Sequence, residues 1–225
     1  MKKLITILLF LCATQGFAQQ QKQLPVGFTY IDNHIPHIAY DLRYHGSHNF
    51  VGRRIDGYEA NKLILTEKAV MALKKVEAEL NKEGLGLKVF DAYRPQRAVN
   101  HFKRWAKDIK DTLMKREFYP QVDKRDLFKK GFIASRSGHS RGSTIDLTII
   151  HLNTKEELDM GAPFDFFGEE SAHGYVHLTT QQRNNRLKLR KIMEKHGFRA
   201  YEKEWWHYTL HDEPFKDKYF DFPIK

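Results

Sequence analysis

The sequence holds one cysteine, Cys12, and no apolar run long enough to cross a bilayer. Its longest such run, Leu4 to Cys12, covers about nine residues, against the roughly twenty that a spanning helix needs. Internal repeats and low-complexity blocks are missing after the first twenty or so residues, and the 7 prolines are scattered rather than pooled into a linker. Each absence removes a class of protein. A chain without repeats is not a solenoid, and one without a spanning segment has no transmembrane anchor of that kind. The lone cysteine falls inside "MKKLITILLFLCATQGFA", which has a basic start, an apolar middle and small residues at Gly16 and Ala18, the layout of a cleaved export signal. Cleavage after Ala18 removes it and takes the formal charge from +10 to +8. The mature chain then has no thiol nucleophile, no disulfide and no cysteine zinc cage. A lipid anchor on Cys12 is disfavoured by the bulky Phe10 and Leu11 before it.

Residues 1–18 are therefore expected to be a signal peptide that sends the protein to the periplasm or the exterior, and residues 19–225 a single domain. That length and 41% hydrophobic composition suffice for one substantial core. A basic balance suits nucleic acid, an anionic envelope surface or a solvated exterior. No segment interleaves dense Lys and Arg with aromatics, so nucleic acid is not an expected partner.

Periodicity predicts three helices. One follows Thr66 with apolar residues at Ala69, Val70, Leu73, Val76 and Leu80 before Gly84; a second begins at Pro95 and carries Ala98, Phe102 and Trp105; a third spans Gln181 to His196 before Gly197. "LKVFDAY", "IDLTII" and "EWWHYTL" read as strands, and "ASRSGHSRGS" as a loop entering the second of them. The irregular alternation predicts an α+β fold, a mainly antiparallel sheet with helices packed on it and the chemistry at the sheet.

The chemistry is concentrated in "SGHSRGSTID" and "EWWHY". Hydrolytic zinc takes three nitrogen or oxygen ligands and keeps one position open, and His139, Asp146 and His207 supply such a set. Gly138 and Gly142 let the loop bend around His139. Strand alternation puts Asp146 and Thr148 on one face, Leu147 and Ile149 on the other. Glu204 is placed as general base, taking a proton from the attacking water and passing it to the leaving amine. A regular strand would turn Glu204 and His207 to opposite faces, so a bulge near Trp205 is required. The bland alternative for Glu204 is an ion pair with Lys203. Arg94, held out of the helical region by Pro95, either stabilises an oxyanion or pairs with Asp91. His34, His37, His45, His48, His173 and His177 are read as surface or loop residues.

The segments "SGHSRGSTIDLT", "DAYRP" and "EWWHY" resemble those of the D-alanyl-D-alanine dipeptidases, the vancomycin-resistance type of zinc dipeptidase within a wider group of zinc D,D-peptidases. "YDLRY", "MGAPFDFF" and the closing "YFDFPIK" carry the resemblance across nearly all of the mature chain and point to the dipeptidase itself. The resemblance implies one zinc ion per chain on His139, Asp146 and His207, with Glu204 as catalytic acid and base and Arg94 stabilising the transition state. It implies further that Asp165 holds the free ammonium of a small dipeptide substrate and that Ser137 and Tyr44 line the pocket. The rivals are a zinc D,D-carboxypeptidase or endopeptidase cutting larger wall peptides, and a non-catalytic wall-binding module. The resistance enzymes act in the cytoplasm, whereas this chain begins with an export leader, which suits salvage of wall-derived dipeptide.

Overall fold

Thr66 closes one short strand and caps the helix that follows. In the computed structural model, which describes residues 24–225, its hydroxyl accepts a hydrogen bond from the amide of Ala69 at 3.4 Å, and helix α1 runs Glu67–Asn81. The apolar positions Ala69, Val70, Leu73, Val76 and Leu80 are buried, as the 3.6-residue period requires. Helix α2, Gln96–Lys107, starts after Pro95, whose missing amide proton costs nothing at a helix start. Two single-turn helices follow, α3 (Lys115–Phe118) and α4 (Leu127–Lys130). The last helix, α5 (Thr180–Lys195), opens with a reciprocal cap between Thr179 and Gln182 and ends before Gly197. The expected signal peptide lies outside the described residues, and no helix among those described is long and apolar enough to cross a membrane.

The strands are β1 (Phe28–Tyr30), β2 (Ala39–Tyr40), β3 (Ile64–Thr66), β4 (Leu85–Asp91), β5 (Thr144–His151), β6 (Phe198–Tyr201) and β7 (Glu204–Leu210). β1 and β3 form an antiparallel pair, and the other five make one sheet in the order β2-β4-β5-β7-β6. Only β2 runs parallel to its neighbour. The architecture is thus α+β around a mainly antiparallel sheet. α1 and α5 pack on the sheet and on each other. Residues 144–150 of β5 are all buried, so the central strand is covered on both faces.

Two local differences from the sequence reading bear on the site. β4 ends at Asp91 rather than continuing to Tyr93, because the Tyr93 amide turns to the carbonyl of Ile64 at 2.8 Å. The "SGHSRG" segment is not an open loop but one 3-10 turn, Gly138–Arg141, capped by Ser137, whose hydroxyl accepts from the His139 amide at 3.3 Å. Only one of the two glycines is needed for its backbone angle. Gly142 has φ +82°, whereas Gly138 matters for space, since a Cβ there would lie 2.7 Å from Thr144 Oγ1. The C-terminal segment clamps this turn from outside: the Phe220 amide donates to the Ser140 carbonyl at 2.8 Å, and the Phe220 carbonyl accepts from the Gln96 amide at 3.0 Å. Phe222 stacks on Tyr93 with ring centroids 4.1 Å apart, and Phe220 meets Phe28 edge-on at 4.8 Å.

A Cβ at position 142 would overlap the ring of Phe28 as well as strain the backbone. Gly142→Ala is expected to lower stability by about 2–4 kcal/mol, the combined scale of a left-handed penalty and an overpacked core, read from the urea midpoint of the variant against wild type.

Candidate metal centre and active site

Asp91, Asp146 and His207 lie side by side across three strands. Asp146 pairs directly with Asp91 of β4 and with His207 of β7, so all three side chains share one face of the sheet. The pairing depends on a bulge in β4. Val89 faces Leu147 and Asp91 faces Asp146, leaving Phe90 as the extra residue; without it, Asp91 would point to the opposite face. A larger irregularity does the same for Glu204. Ala200 pairs with Tyr208 and Tyr201 with Glu204, so Trp205, Trp206 and His207 bulge from β7 between them. This is the bulge that the Glu204 and His207 spacing demands. Glu204 Oε2 accordingly lies 3.4 Å from His207 Nδ1. Lys203 does not pair with Glu204; its ammonium donates to the carbonyl of Lys130 at 3.2 Å.

His139 reaches the same place from the 3-10 turn. Its Nδ1 is 2.7 Å from the carbonyl oxygen of Ala92, an atom that only accepts, so Nδ1 carries the proton. Burial pulls its pKa below the ordinary value and keeps the ring neutral, which leaves a lone pair on Nε2. That lone pair faces Asp146 Oδ2 at 3.2 Å and His207 Nδ1 at 3.4 Å. A lone pair and a carboxylate oxygen at such a distance repel unless a cation lies between them. Asp146 Oδ1 makes the same point: it is 3.0 Å from His207 Nδ1 yet has no partner in hydrogen-bond geometry. The three ligand atoms lie within 4.8 Å of one another. Two imidazole nitrogens and a carboxylate suit zinc, and the Ala92 carbonyl supplies the outer-shell contact that fixes a ligating histidine.

Arg94 pairs with Asp91, as one of its two readings expects, and it also borders the cavity. Its Nε donates to Asp91 Oδ2 at 2.8 Å and one terminal nitrogen reaches Asp146 Oδ2 at 3.4 Å, while its guanidinium lies 5.0 Å from the centre of the Tyr44 ring and lines the cavity. Asp91, named in the sequence only as a partner for Arg94, is a central member of the cluster. It is fully buried, accepts from the Tyr58 hydroxyl at 2.7 Å and lies 3.5 Å from His139 Nδ1. Burial pushes its carboxyl up. Tyr58 carries no sequence signal that separates it from an ordinary core tyrosine.

Asp165 sits on another wall of the cavity. It is 6% exposed, has φ +63°, and both its oxygens lie near the Tyr44 hydroxyl, at 3.1 and 2.8 Å. Tyr44 thus orients Asp165 while itself lining the cavity. Burial, and then the charge of Asp146, push the Asp165 carboxyl well above its ordinary value. Ser137 lines the cavity while capping the His139 turn. The cavity holds about 290 Å³, at the lower end of small-molecule sites, which begin near about 300 Å³. Tyr44, Arg94, Ser137, Asp146, Asp165, Glu204 and His207 all border it.

A metal-binding triad with a carboxylate and a guanidinium beside it in one cleft defines a metallopeptidase-type centre. The chain belongs to the D-ala-D-ala dipeptidase family, a group of zinc-dependent peptidases that it matches over residues 25–225. It is 43% identical over 202 residues to the D-alanyl-D-alanine dipeptidase of Enterococcus faecium, 90% of this chain and 100% of that protein. Identity to the enzyme of the same name from Enterococcus faecalis is 44% over 198 residues, 88% and 98% of the two chains. For that of Streptomyces coelicolor it is 42% over 197 residues, again 88% and 98%.

Removing an outer-shell partner weakens a metal site by about 10- to 100-fold, so His139→Ala, which deletes a ligand, is expected to weaken zinc binding by more than about 100-fold. Equilibrium dialysis against a zinc buffer reads it directly, and affinity within tenfold of wild type would remove His139 from the ligand set.

Proposed function

We propose that this protein hydrolyses free D-alanyl-D-alanine to two D-alanines, with one zinc ion held by His139, Asp146 and His207. The observation that carries the reading is the neutral His139 lone pair turned toward Asp146 and His207, with Glu204 alongside. Bound there, zinc supplies Lewis acidity and lowers the pKa of a water to about 7. Glu204 takes a proton from the attacking water on its carboxylate and returns it to the departing amine. Burial pushes the Glu204 carboxyl up, the direction that suits a group working in both roles near neutrality. Arg94, with Nε fixed on Asp91, offers its terminal N–H groups to the oxyanion that forms as water adds to the peptide carbonyl. No covalent bond forms between enzyme and substrate.

The dipeptidase reading, over a peptidase for longer wall peptides, is supported by Asp165. A buried carboxylate with a raised pKa is short of a cation, and the ammonium of a free dipeptide would satisfy it. An acyl group in place of that ammonium would leave the Asp165 carboxylate without its cation. The leader-like first 18 residues support action outside the inner membrane, on dipeptide released from peptidoglycan.

Glu204→Ala is expected to keep zinc and lose about 10²- to 10⁴-fold in kcat, the range of a general acid-base group. An unchanged kcat would take Glu204 out of the mechanism. N-acetyl-D-Ala-D-Ala is expected to be cut far more slowly than the free dipeptide; equal kcat/KM values would move the assignment to the carboxypeptidase.

A further inference from the structure

A free dipeptide carries a carboxylate as well as an ammonium, and the groups described so far account only for the ammonium. The charged residues bordering the cavity are Asp146, Asp165 and Glu204 against Arg94 and Arg136, with His207 among them. Arg94 is anchored on Asp91 and Asp146, and its remaining N–H groups are assigned above to the oxyanion. Arg136 is different. Among the described residues it pairs with no carboxylate, and its guanidinium lies over the ring of Tyr219, 5.1 Å from the centroid. Arg141 shares that ring at 5.7 Å, but Arg141 is neutralised by Glu213 through contacts of 2.7 and 2.8 Å. Two cations thus flank one tyrosine, and only the one at the cavity lacks an anion.

Arg136 is also mounted on a fixed part of the molecule. It directly precedes Ser137, the cap of the turn that carries His139, and the closing segment that contains Tyr219 is tied to the same turn through Phe220 and Ser140. Its ring contact limits the freedom of an otherwise flexible side chain, which lowers the entropy lost when a ligand binds.

Resting on the dipeptidase reading above, we infer that Arg136 binds the α-carboxylate of the substrate and selects for a free C-terminus. Asp165 and Arg136, borne by separate segments that border one cavity, then read the two ends of a dipeptide by charge. A planar guanidinium matches a carboxylate in a two-bonded fork, an arrangement that neither an amide nor an ester reproduces.

The test compares zinc-loaded wild type, Arg136→Ala and Arg136→Lys on D-Ala-D-Ala and on D-Ala-D-alaninamide, with bound zinc measured in each preparation. Wild type is expected to favour the acid over the amide by about 10- to 100-fold in kcat/KM, the size of a hydrogen bond to a charged group. Arg136→Ala should erase that preference mainly by raising KM for the acid, and Arg136→Lys should restore part of it. A preference that survives in Arg136→Ala, or an equal fall on both substrates, overturns the assignment. So does a wild-type enzyme that cuts acid and amide alike, a result that needs no variant to fold. A wild type that binds zinc and cuts neither substrate instead sinks the dipeptidase reading beneath it.

Discussion

The structure turns on the carboxylate of Asp146, buried in the central strand with another carboxylate, Asp91, directly beside it on β4. Two like charges side by side on neighbouring strands repel, and burial deepens the cost of each. Arg94 resolves half of this conflict, since it bonds Asp91 and reaches Asp146 with the same guanidinium. Tyr58 adds a donor to Asp91. What remains is the side of Asp146 turned toward His139 and His207, where no lysine or other arginine among the described residues reaches it. Arg94 thus anchors on the supporting carboxylate Asp91, and the face of Asp146 turned toward the two histidines is left for a metal.

Two irregularities in the sheet make the geometry possible, and each does a second task. The bulge at Phe90 brings Asp91 onto the face of Asp146, and the Phe90 ring stacks on Phe164 with centroids 4.7 Å apart. The bulge in β7 turns Glu204 toward His207; within it, Trp205 donates to the carbonyl of Ala162 at 3.1 Å and Trp206 packs edge-on against Phe164 at 5.5 Å. Both bulges therefore send aromatic side chains to the segment that carries Asp165. The residues that place His207 and Glu204 also place Asp165, so the distance between the histidine and aspartate cluster and Asp165 is set by packed rings. Bulges at the edges of functional sites commonly re-aim a side chain; here they also set the position of the opposite wall.

Much of the site is legible in the sequence because its chemistry is local. His139 and Asp146 are seven residues apart in a Gly-bounded turn entering a β-branched strand, and Glu204 and His207 are three apart in an aromatic strand. Their odd spacing in a strand even forecasts the bulge. The helices were legible for the same reason: Thr66, Pro95 and Gly197 are local punctuation that periodicity confirms. What stayed hidden is what depends on contacts between remote segments. Asp91 belongs to the cluster only because an extra residue shifts its register. Tyr58, with its hydroxyl on Asp91, and Ala92, with its carbonyl on His139, act through atoms that nearly any sequence contains. The 3-10 turn at Gly138–Arg141 is too short for a periodic signal, and its clamp comes from a segment about eighty residues later.

The charges of the pocket explain why the metal and the substrate should depend on each other. Asp91, Asp146, Asp165 and Glu204 outnumber the two guanidiniums at the site, Arg94 and Arg136, so the site has more acidic groups than its own cations balance. Burial raises the carboxyls of Asp165 and Glu204. A divalent ion on Asp146 adds positive charge within the same low-dielectric cluster, which favours the ionised form of every neighbouring carboxyl. An ionised Asp165 is what the ammonium of the proposed substrate would require, so a metal held on Asp146 would favour the charge state of Asp165 that the proposed function needs. Tyr44 is the physical link in this coupling. Its hydroxyl bonds Asp165 while its ring lies against the guanidinium that holds Asp91 and Asp146, so the two charged regions share one rigid side chain.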